Sequence, residues 1–562
     1  MRMTPRALGT SFVAFIIASA IALGTAGAQP GNVLSYQKIS DTQGNFTAII
    51  DNFDEFGGAA IGLGDLDGPG PSVAAMAVGT AFDDDGGADR GAVYILFLSA
   101  TGNALSYQKI SSTAGNFSEP LINDDQFGSS LAFLGDLDGA GPSVAALAVG
   151  AIGRDDGGPS RGAVYVLFLA STGNVLSYQK ISNTAGNFTA ALDNLDELGG
   201  SLAALGDMDG AGPAATALAV SASGDDDGGT DRGAVYVLFL RETGSVLSFQ
   251  KVSSTQGGFT GTLDNLDDFG SALAGLWDLD GEGPSVRTLA VGAGFDDDGG
   301  TDRGAVWLLF LSSSGTVLSH QKISDTQGNF NEILADLDEF GGALSDLGDL
   351  DGPGGAVTAL AVGTAGDDDG GSDRGAVYIL FLSATGGVLS TQKISNLFGG
   401  FTAPMHNLDS FGSSVARLGD LDGAGPSPLA MAVGTAGDDD GGPDRGAVYV
   451  LFLDGVSTAA VPGVAPGAGG GVLGRANPNP FHPSTTIPFR LSEASHVQID
   501  IWDVHGRLVR RLFRGDIGPG EHRVKWDGLD DSGRALAAGT YLYRMALNGR
   551  VVAMTEKALL LR

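Results

Sequence analysis

One interval governs this chain. Lys38, Lys109, Lys180, Lys251, Lys322 and Lys393 stand 71 residues apart, each inside a variant of Val-Leu-Ser-Tyr-Gln-Lys-Ile-Ser. A fixed period of this length means one supersecondary unit repeated and stacked, because a single unit cannot bury its own apolar face. The same interval returns Phe56-Gly57, Phe127-Gly128, Leu198-Gly199, Phe269-Gly270, Phe340-Gly341 and Phe411-Gly412. It also returns segments opening at Gly91, Gly162, Gly233, Gly304, Gly375 and Gly446, which read Gly-Ala-Val-Tyr or, once, Gly-Ala-Val-Trp.

Each repeat holds four short β-like runs, in the second Ser129–Leu134, Ala145–Val149, Ala163–Leu169 and Val175–Ile181. They are rich in Val, Leu, Tyr and Phe and are separated by Gly and Asp clusters, the composition of strands joined by tight turns. Four strands per repeat predict the blade of a β-propeller. The first two runs favour Ala, Ser and Gly, as suits crowded strands near a propeller axis, and the later two carry the aromatics. The order is displaced: a fourth-type run, Val33–Ser40, precedes the first Phe-Gly, and none follows the last third-type run, Ala447–Leu453. Pairing these two would close a ring and remove two sheet edges. The expectation is an all-β chain: a six-bladed propeller over residues 29–455, then a smaller β domain.

Phe-Gly, then Gly-Asp-Leu-Asp-Gly, Leu-Ala-Val-Gly and Arg-Gly-Ala-Val-Tyr, recurring over residues 31–455, resemble the FG-GAP repeat of integrin α-subunit propellers and their bacterial relatives. Integrin α chains usually have seven blades, whereas six are counted here. The resemblance implies a secreted or surface protein that binds other molecules, often with calcium in the hairpins between first and second strands.

Residues 1–28 read as a secretory signal: Arg2 and Arg6, an apolar run from Ser11 to Gly24, and Ala26-Gly27-Ala28 as a small-residue cleavage site. That run is short for a membrane span, and no later segment is apolar enough to cross a bilayer. Residues 456–474, rich in Gly, Ala, Val and Pro, read as a linker. From 475 to 562 the character changes: Asn477-Pro478-Asn479-Pro480-Phe481, an alternating strand Val497–Trp502, Trp526-Asp527-Gly528 and Ala538-Gly539-Thr540-Tyr541 suggest a small β-sandwich. This segment is similar to the Ig-like domain of the flagellar hook-capping protein and to sorting domains of type IX secretion substrates. That resemblance implies recognition by an outer-membrane export machine and delivery to the cell surface.

Charge and cysteine content narrow the function. The formal net charge is −35, and basic residues outnumber acidic ones only in the signal and from Arg475 onward. So acidic a body repels nucleic acid and anionic lipid and attracts cations. No cysteine is present, which excludes disulfides, thiolate–zinc sites and thiol nucleophiles.

Two sets of acidic loops are candidate cation sites. The first–second strand hairpins carry Asp65/Asp67, Asp136/Asp138, Asp207/Asp209, Asp278/Asp280, Asp349/Asp351 and Asp420/Asp422. Carboxylates at alternate positions beside a glycine turn suit calcium, which takes six to eight oxygens. The usual family loop, however, also supplies oxygens at its fifth and ninth positions. Here the fifth is Pro69, Ala140, Ala211, Glu282, Pro353 and Ala424, so only the fourth repeat, with Asp278, Asp280 and Glu282, keeps three candidates. Weak calcium binding is expected, with turn aspartates capping backbone N–H groups as the alternative. The second–third strand loops read Asp83-Asp84-Asp85-Gly86-Gly87-Ala88-Asp89-Arg90 and copies of it. Strand direction places them on one rim with the fourth–first strand loops, which add Asp54-Glu55, Asp124-Asp125, Asp196-Glu197, Asp267-Asp268, Asp338-Glu339 and Asp409. Each is either a solvated turn, its aspartate paired with the following arginine, or a low-affinity cation site or contact for a basic partner.

Three apparent motifs are decoys. Gly158-Pro159-Ser160-Arg161-Gly162 matches a nucleophile elbow, but Asp89, Asp231, Asp373 and Asp444 stand at the serine position elsewhere. His320 stands where other repeats have Tyr36, Tyr107, Tyr178 and Phe249, and Arg514-Gly515-Asp516 is an adhesion tripeptide by letter alone. The reading is a non-catalytic binding or adhesion protein of the cell surface with an unidentified protein or glycan ligand. A structural envelope or matrix component is the alternative. An enzyme comes third, because the acidic positions recur in every repeat rather than forming one distinctive constellation.

Overall fold

The computed structural model describes residues 30–455, apart from 69–71, 140–142, 211–215, 282–284, 352–356 and 422–428, together with 471–473 and most of 484–560. The expected signal at 1–28 lies outside the described residues, as does most of the expected linker. The chain divides into two compact units, Met1–Ser457 and Thr458–Arg562.

The first unit consists of six four-stranded antiparallel sheets. In the second repeat the strands are Phe127–Gly135, Ala145–Ala151, Ala163–Leu169 and Val175–Ser182, within two residues of the runs read from sequence. The second and third strands of this sheet are buried at every position. That explains their unbroken apolar runs: they have sheet neighbours on both edges and apolar layers on both faces. The fourth strand carries its apolar residues at its ends and exposes Leu176 and Ser177.

The displaced strand behaves as the offset requires. Val33–Ile39 pairs antiparallel with Ala447–Leu453, Lys38 lying opposite Tyr449. This is the register of Lys109 opposite Tyr94 in the first sheet. The sixth sheet is therefore assembled from both ends of the repeat region. Apolar cores lie between sheets rather than within them: Phe117, Phe127 and Tyr165 join Val93 and Ile95 of the sheet before. Phe46, Phe56 and Tyr94 likewise join Val448 and Val450 of the sixth sheet.

Phe-Gly earns its recurrence at the junction between sheets. Phe127 N–H donates to the Arg90 carbonyl (3.0 Å), Phe269 to Arg232 (3.0 Å) and Phe411 to Arg374 (2.9 Å). Phe56 donates to Arg445 of the sixth sheet in the same way (2.9 Å). The glycine that follows lets the two backbones touch. Gly57 sits at φ +104°, and a Cβ there would lie 2.5 Å from the Ala447 carbonyl oxygen.

The second unit is a two-sheet β structure. Thr485–Leu491 lies between Gly471–Leu473 and Gly520–Trp526 in one sheet. Ser495–Asp503 lies between Leu508–Ile517 and Gly539–Leu547 in the other. Ile487, Ile499, Trp526 and Tyr543 are fully buried in its core. Gly471–Leu473, within the stretch expected to be a linker, pairs antiparallel with Phe489–Leu491.

We expect Gly57→Ala to destabilise the protein by about 2–4 kcal/mol in urea unfolding, combining a left-handed backbone with overlap on the Ala447 carbonyl. Gly68→Ala, at φ +68° with no atom within 4 Å, meets the backbone cost alone, about 1–2 kcal/mol. Equal losses would show that the approach of the first sheet to the sixth is not close.

Candidate functional site

The loops between second and third strands are built on a lysine that the period placed but whose role it did not reveal. In the first sheet Lys109 Nζ lies 2.8 Å from both Asp83 Oδ2 and Asp85 Oδ2. Lys251 holds Asp225 and Asp227, Lys322 holds Asp296 and Asp298, Lys393 holds Asp367 and Asp369, and Lys38 closes the set on Asp438 and Asp440. Cross-strand register explains the geometry. Lys109 lies opposite Tyr94, and its ammonium sits 5.4 Å from that ring's centre as it reaches the loop. Burial pulls the lysine downward, but the tyrosine and the two carboxylates outweigh it and raise it above its ordinary value. Asp85 is held below the usual range: burial opposes this, and the Lys109 and Ser111 bonds prevail.

Every aspartate of the loop has a separate task. Asp83 Oδ1 accepts the Asp85 N–H, Asp84 Oδ1 accepts the Asp89 N–H, and Asp85 accepts the Ser111 hydroxyl. The arginine does not pair with the adjacent aspartate, as the solvated-turn reading had it. It reaches the next loop, Arg90 Nε to Asn123 Oδ1 at 3.1 Å and Arg445 Nε to Asn52 Oδ1 at 2.9 Å. In the fourth and sixth sheets it also meets a carboxylate, Arg303 on Asp336 and Asp325 and Arg445 on Asp41. The second sheet departs from the pattern. Arg154 replaces the first aspartate and bonds Asp125 and Asp156, while Lys180 turns to Asp156 and Glu119.

Beneath these loops lies a second acidic layer. Asp54, Asp125, Asp196, Asp267, Asp338 and Asp409 are buried. Each accepts the backbone N–H three residues earlier, such as Asp51 N–H on Asp54 Oδ2 at 2.8 Å. Burial, helped by the neighbouring loop carboxylates, raises Asp54 and Asp267 to about 7 and Asp196, Asp338 and Asp409 to about 6.

The same loops lift apolar side chains into solvent. Phe53, Leu195, Leu266, Leu337 and Leu408 stand at equivalent positions, 55–60% exposed. All have left-handed backbones, with φ of 72–73°. This conformation is costly for such residues. It is fixed by bonds to the preceding loop, Phe53 N–H to the Pro443 carbonyl and Leu266 N–H to the Thr230 carbonyl, both 3.0 Å. Leu195, Leu266 and Phe295 line a cavity of about 380 Å³ flanked by Glu197 and Asp268. Sequence reading passed over these residues because a lone Leu in a loop gives no sign of a positive φ.

The candidate calcium ligands sit in turns with partners of their own. Asp67, Asp138 and Asp280 accept the hydroxyls of Ser72, Ser143 and Ser285 at 2.5–2.7 Å. Asp207 and Asp278 cap the N–H groups of Gly210 and Gly281. Asp209, Asp349, Asp351 and Asp420 are also engaged with neighbours. Asp65 and Asp136 follow the first strands of their sheets. Glu282 and Asp422 lie outside the described residues. Among the described residues no three metal-type ligands converge. In the fourth repeat Arg287, stacked 4.9 Å from the centre of the exposed Trp277 ring, lies close enough to Asp207 and Asp278 to feel their charge. Ser160 adopts the left-handed turn of Asp89 and Asp231. Arg514-Gly515-Asp516 lies within a strand, with Asp516 bonded to His496.

Residues 482–550 match the FlgD Ig-like domain family. No curated protein matches the chain. Among solved structures it is similar to PorZ, described as an essential bacterial surface component of the type IX secretion system of Porphyromonas gingivalis. The two share 14% identity at a TM-score of 0.35, over 87% of this chain and 58% of PorZ. A fungal alcohol oxidase of the AA5 family, in complex with copper, is 12% identical at a TM-score of 0.33, covering 92% of this chain and 99% of the oxidase. The chain thus spans under two thirds of the length of PorZ.

The buried aspartates set a pH dependence. Their folded pKa values of about 6–7 lie above the roughly 3.9 of an unfolded aspartate. The stability they contribute is therefore full below that unfolded value and lost as pH rises through the folded ones. The lowered carboxylates, Asp85 and its counterparts, act at more acidic pH. We expect the melting temperature of the protein to fall from pH 5 to pH 8 at constant ionic strength, with Asp54→Asn flattening the fall. A profile that rises over this window would contradict the assignment.

Proposed function

We propose that the six sheets are the blades of a closed propeller of FG-GAP type and that the protein is exported to bind a partner on its acidic rim. The closed arrangement is supported by the strand Val33–Ile39 completing the sixth sheet and by the Phe56–Arg445 bond repeating the Phe127–Arg90 bond. The observation that carries the binding role is the set of exposed apolar tips at Phe53, Leu195, Leu266, Leu337 and Leu408. A protein that needed only solubility would gain from glycine or asparagine at a left-handed position. Apolar side chains held there at a cost, amid uncancelled carboxylates, suit a partner with apolar and basic groups on one surface.

Export is the second part of the proposal. A signal at 1–28 carries the chain out of the cytoplasm, and the FlgD-like domain in 475–562 directs sorting by an outer-membrane machine to the cell surface. Among the described residues no helix is long and apolar enough to cross a membrane. The alternative, an envelope or matrix component without a discrete ligand, draws on the outer strands, which expose Leu34, Leu105, Leu176, Leu318 and Leu389 at one repeated position. Calcium acts in either case as a weak, distributed counter-ion, because most of the described hairpin aspartates, such as Asp67, Asp138 and Asp280, already have hydrogen-bond partners.

Three outcomes test this reading. Replacing Leu195, Leu266 and Leu337 by Asn is expected to abolish capture of cell-surface ligands by the mature chain without lowering its melting temperature; undiminished capture removes the rim from the proposal. Deleting 475–562 is expected to prevent surface display in the native host, and normal display of the truncated chain refutes the sorting role. Calcium is expected to raise the melting temperature only slightly more than sodium chloride of matched ionic strength. Submicromolar sites in calorimetry would contradict the weak-binding reading.

A further inference from the structure

The first strands of all six sheets line one cavity of about 330 Å³. Gly, Ala, Ser and a few larger apolar residues make up its walls. Among the described residues it holds two charges, Asp346 and Arg417. These stand at equivalent positions of the fifth and sixth sheets, one period apart, where the other four sheets have Gly62, Phe133, Ala204 and Gly275. The two strands touch: the Arg417 backbone N–H donates to Ser345 Oγ at 3.1 Å. An acid and a base so placed would be expected to form an ion pair. They feel each other's charge, yet no hydrogen bond joins the carboxylate to the guanidinium.

Each charge is held in its own way. Asp346 Oδ1 accepts the Thr358 hydroxyl at 2.7 Å and the Gly348 N–H at 3.0 Å, which fixes the carboxylate. Its Oδ2 has no partner among the described residues and keeps accessible surface. Burial pushes this carboxyl up, and the Arg417 charge opposes that. Arg417 is exposed, and its guanidinium lies over the end of the neighbouring strand: a Cβ at Gly348 would come within 2.5 Å of Nη1. Between residues 30 and 455 eight of the ten arginines make a side-chain hydrogen bond. Arg417 makes none among the described residues, and Arg287, the other exception, stacks on Trp277. In a chain of net charge −35 a guanidinium left without a carboxylate stands apart.

We propose that this cavity binds a free α-amino acid, its carboxylate on Arg417 and its ammonium on Asp346. A guanidinium presents paired donors that match a carboxylate, and the open oxygen of Asp346 accepts from an ammonium. A simple anion gains Arg417 but meets the charge of Asp346. A simple cation gains Asp346 but meets Arg417. A peptide offers only one of the two charges at either end. A ligand that carries both a few bonds apart satisfies the two together. Gly62, Ala204 and Gly275 leave space at the same level, and Phe133 adds an apolar face for a side chain. The volume falls at the small end of ligand sites, as suits so compact a molecule. None of these residues belongs to the acidic rim, so the site stands or falls separately from the rim reading.

The test is calorimetry on the protein at constant ionic strength, with glycine, L-alanine, L-valine, L-leucine and L-phenylalanine at millimolar concentration. Binding of at least one is expected. For the amino acid that binds best, the matching carboxylate without the amino group and the matching amine without the carboxyl group should each bind at least about tenfold more weakly, as for loss of one charge-assisted contact. Arg417→Ala installs the residue of the third sheet, and Asp346→Asn keeps an acceptor for Thr358 and Gly348. Each should weaken binding by a similar factor with the melting temperature preserved. The comparison of analogues uses the unaltered protein, so it decides the matter where a variant does not fold. No binding of any of the five, an analogue that binds as tightly as its amino acid, or undiminished affinity in either folded variant would overturn the proposal.

Discussion

The clamp of one lysine on two aspartates is the interaction on which the first unit depends. A chain with net charge −35 that crowds three consecutive aspartates into five of its six second–third strand loops faces strong self-repulsion. Lys109 meets this locally. It arises from the fourth strand, crosses the Tyr94 face of the third, and closes on the loop joining second to third, so one ammonium ties three strands of a sheet together. Its position is enforced by pairing: the strand register that sets Ile110 opposite Val93 in the core also sets the lysine opposite the tyrosine. Losing the lysine would leave Asp83, already buried, without its cation. Removing one partner of a buried pair costs far more than the pair contributes.

The second sheet shows how strictly this balance is kept. Arg154 takes the place of an aspartate, which adds a cation and removes an anion at once. Glu119 appears in the same repeat and accepts from both Lys180 and Tyr178. Arg154 goes to the underlying Asp125, whose counterparts have no arginine or lysine ion pair among the described residues. Tyr165 is left with an unpartnered hydroxyl. A change in one loop has thus been answered in two other segments of the same repeat, which marks the network as a unit of coupled charges rather than a collection of turns.

These particulars explain what could and could not be read from the sequence. The four strands of each repeat and the displaced Val33–Ile39 were legible, because period and apolar runs report burial directly. The Phe-Gly junctions were visible as a recurring motif, though their bond to the preceding arginine's carbonyl was not. The lysine marked the period most clearly, yet its role stayed hidden because the contact spans 24 or 26 residues and depends on the register of an intervening strand. The strained leucine tips left no trace at all, since a positive φ is betrayed in sequence chiefly by glycine or asparagine. The hairpin aspartates attracted attention as ligands, while their serine partners five residues on, Ser72, Ser143 and Ser285, were overlooked.

Repetition also determines where novelty is affordable. Each core is shared by two neighbouring sheets only, so a substitution is felt by its own repeat and the next and no further. The fourth repeat uses this freedom twice. At the end of its first strand Trp277 replaces the left-handed glycine of Gly64, Gly135, Gly206, Gly348 and Gly419. The register shift those glycines produce, such as that between Ala204 and Gly206, is absent there. In its third and fourth strands Trp307 and His320 stand with Gly261 around a cavity. Neither change disturbs the clamp, since Lys322 still holds Asp296 and Asp298. The conserved clamp and the variable surroundings therefore divide the work: the first keeps each acidic loop in shape, and the second gives one sheet a surface chemistry its five copies lack.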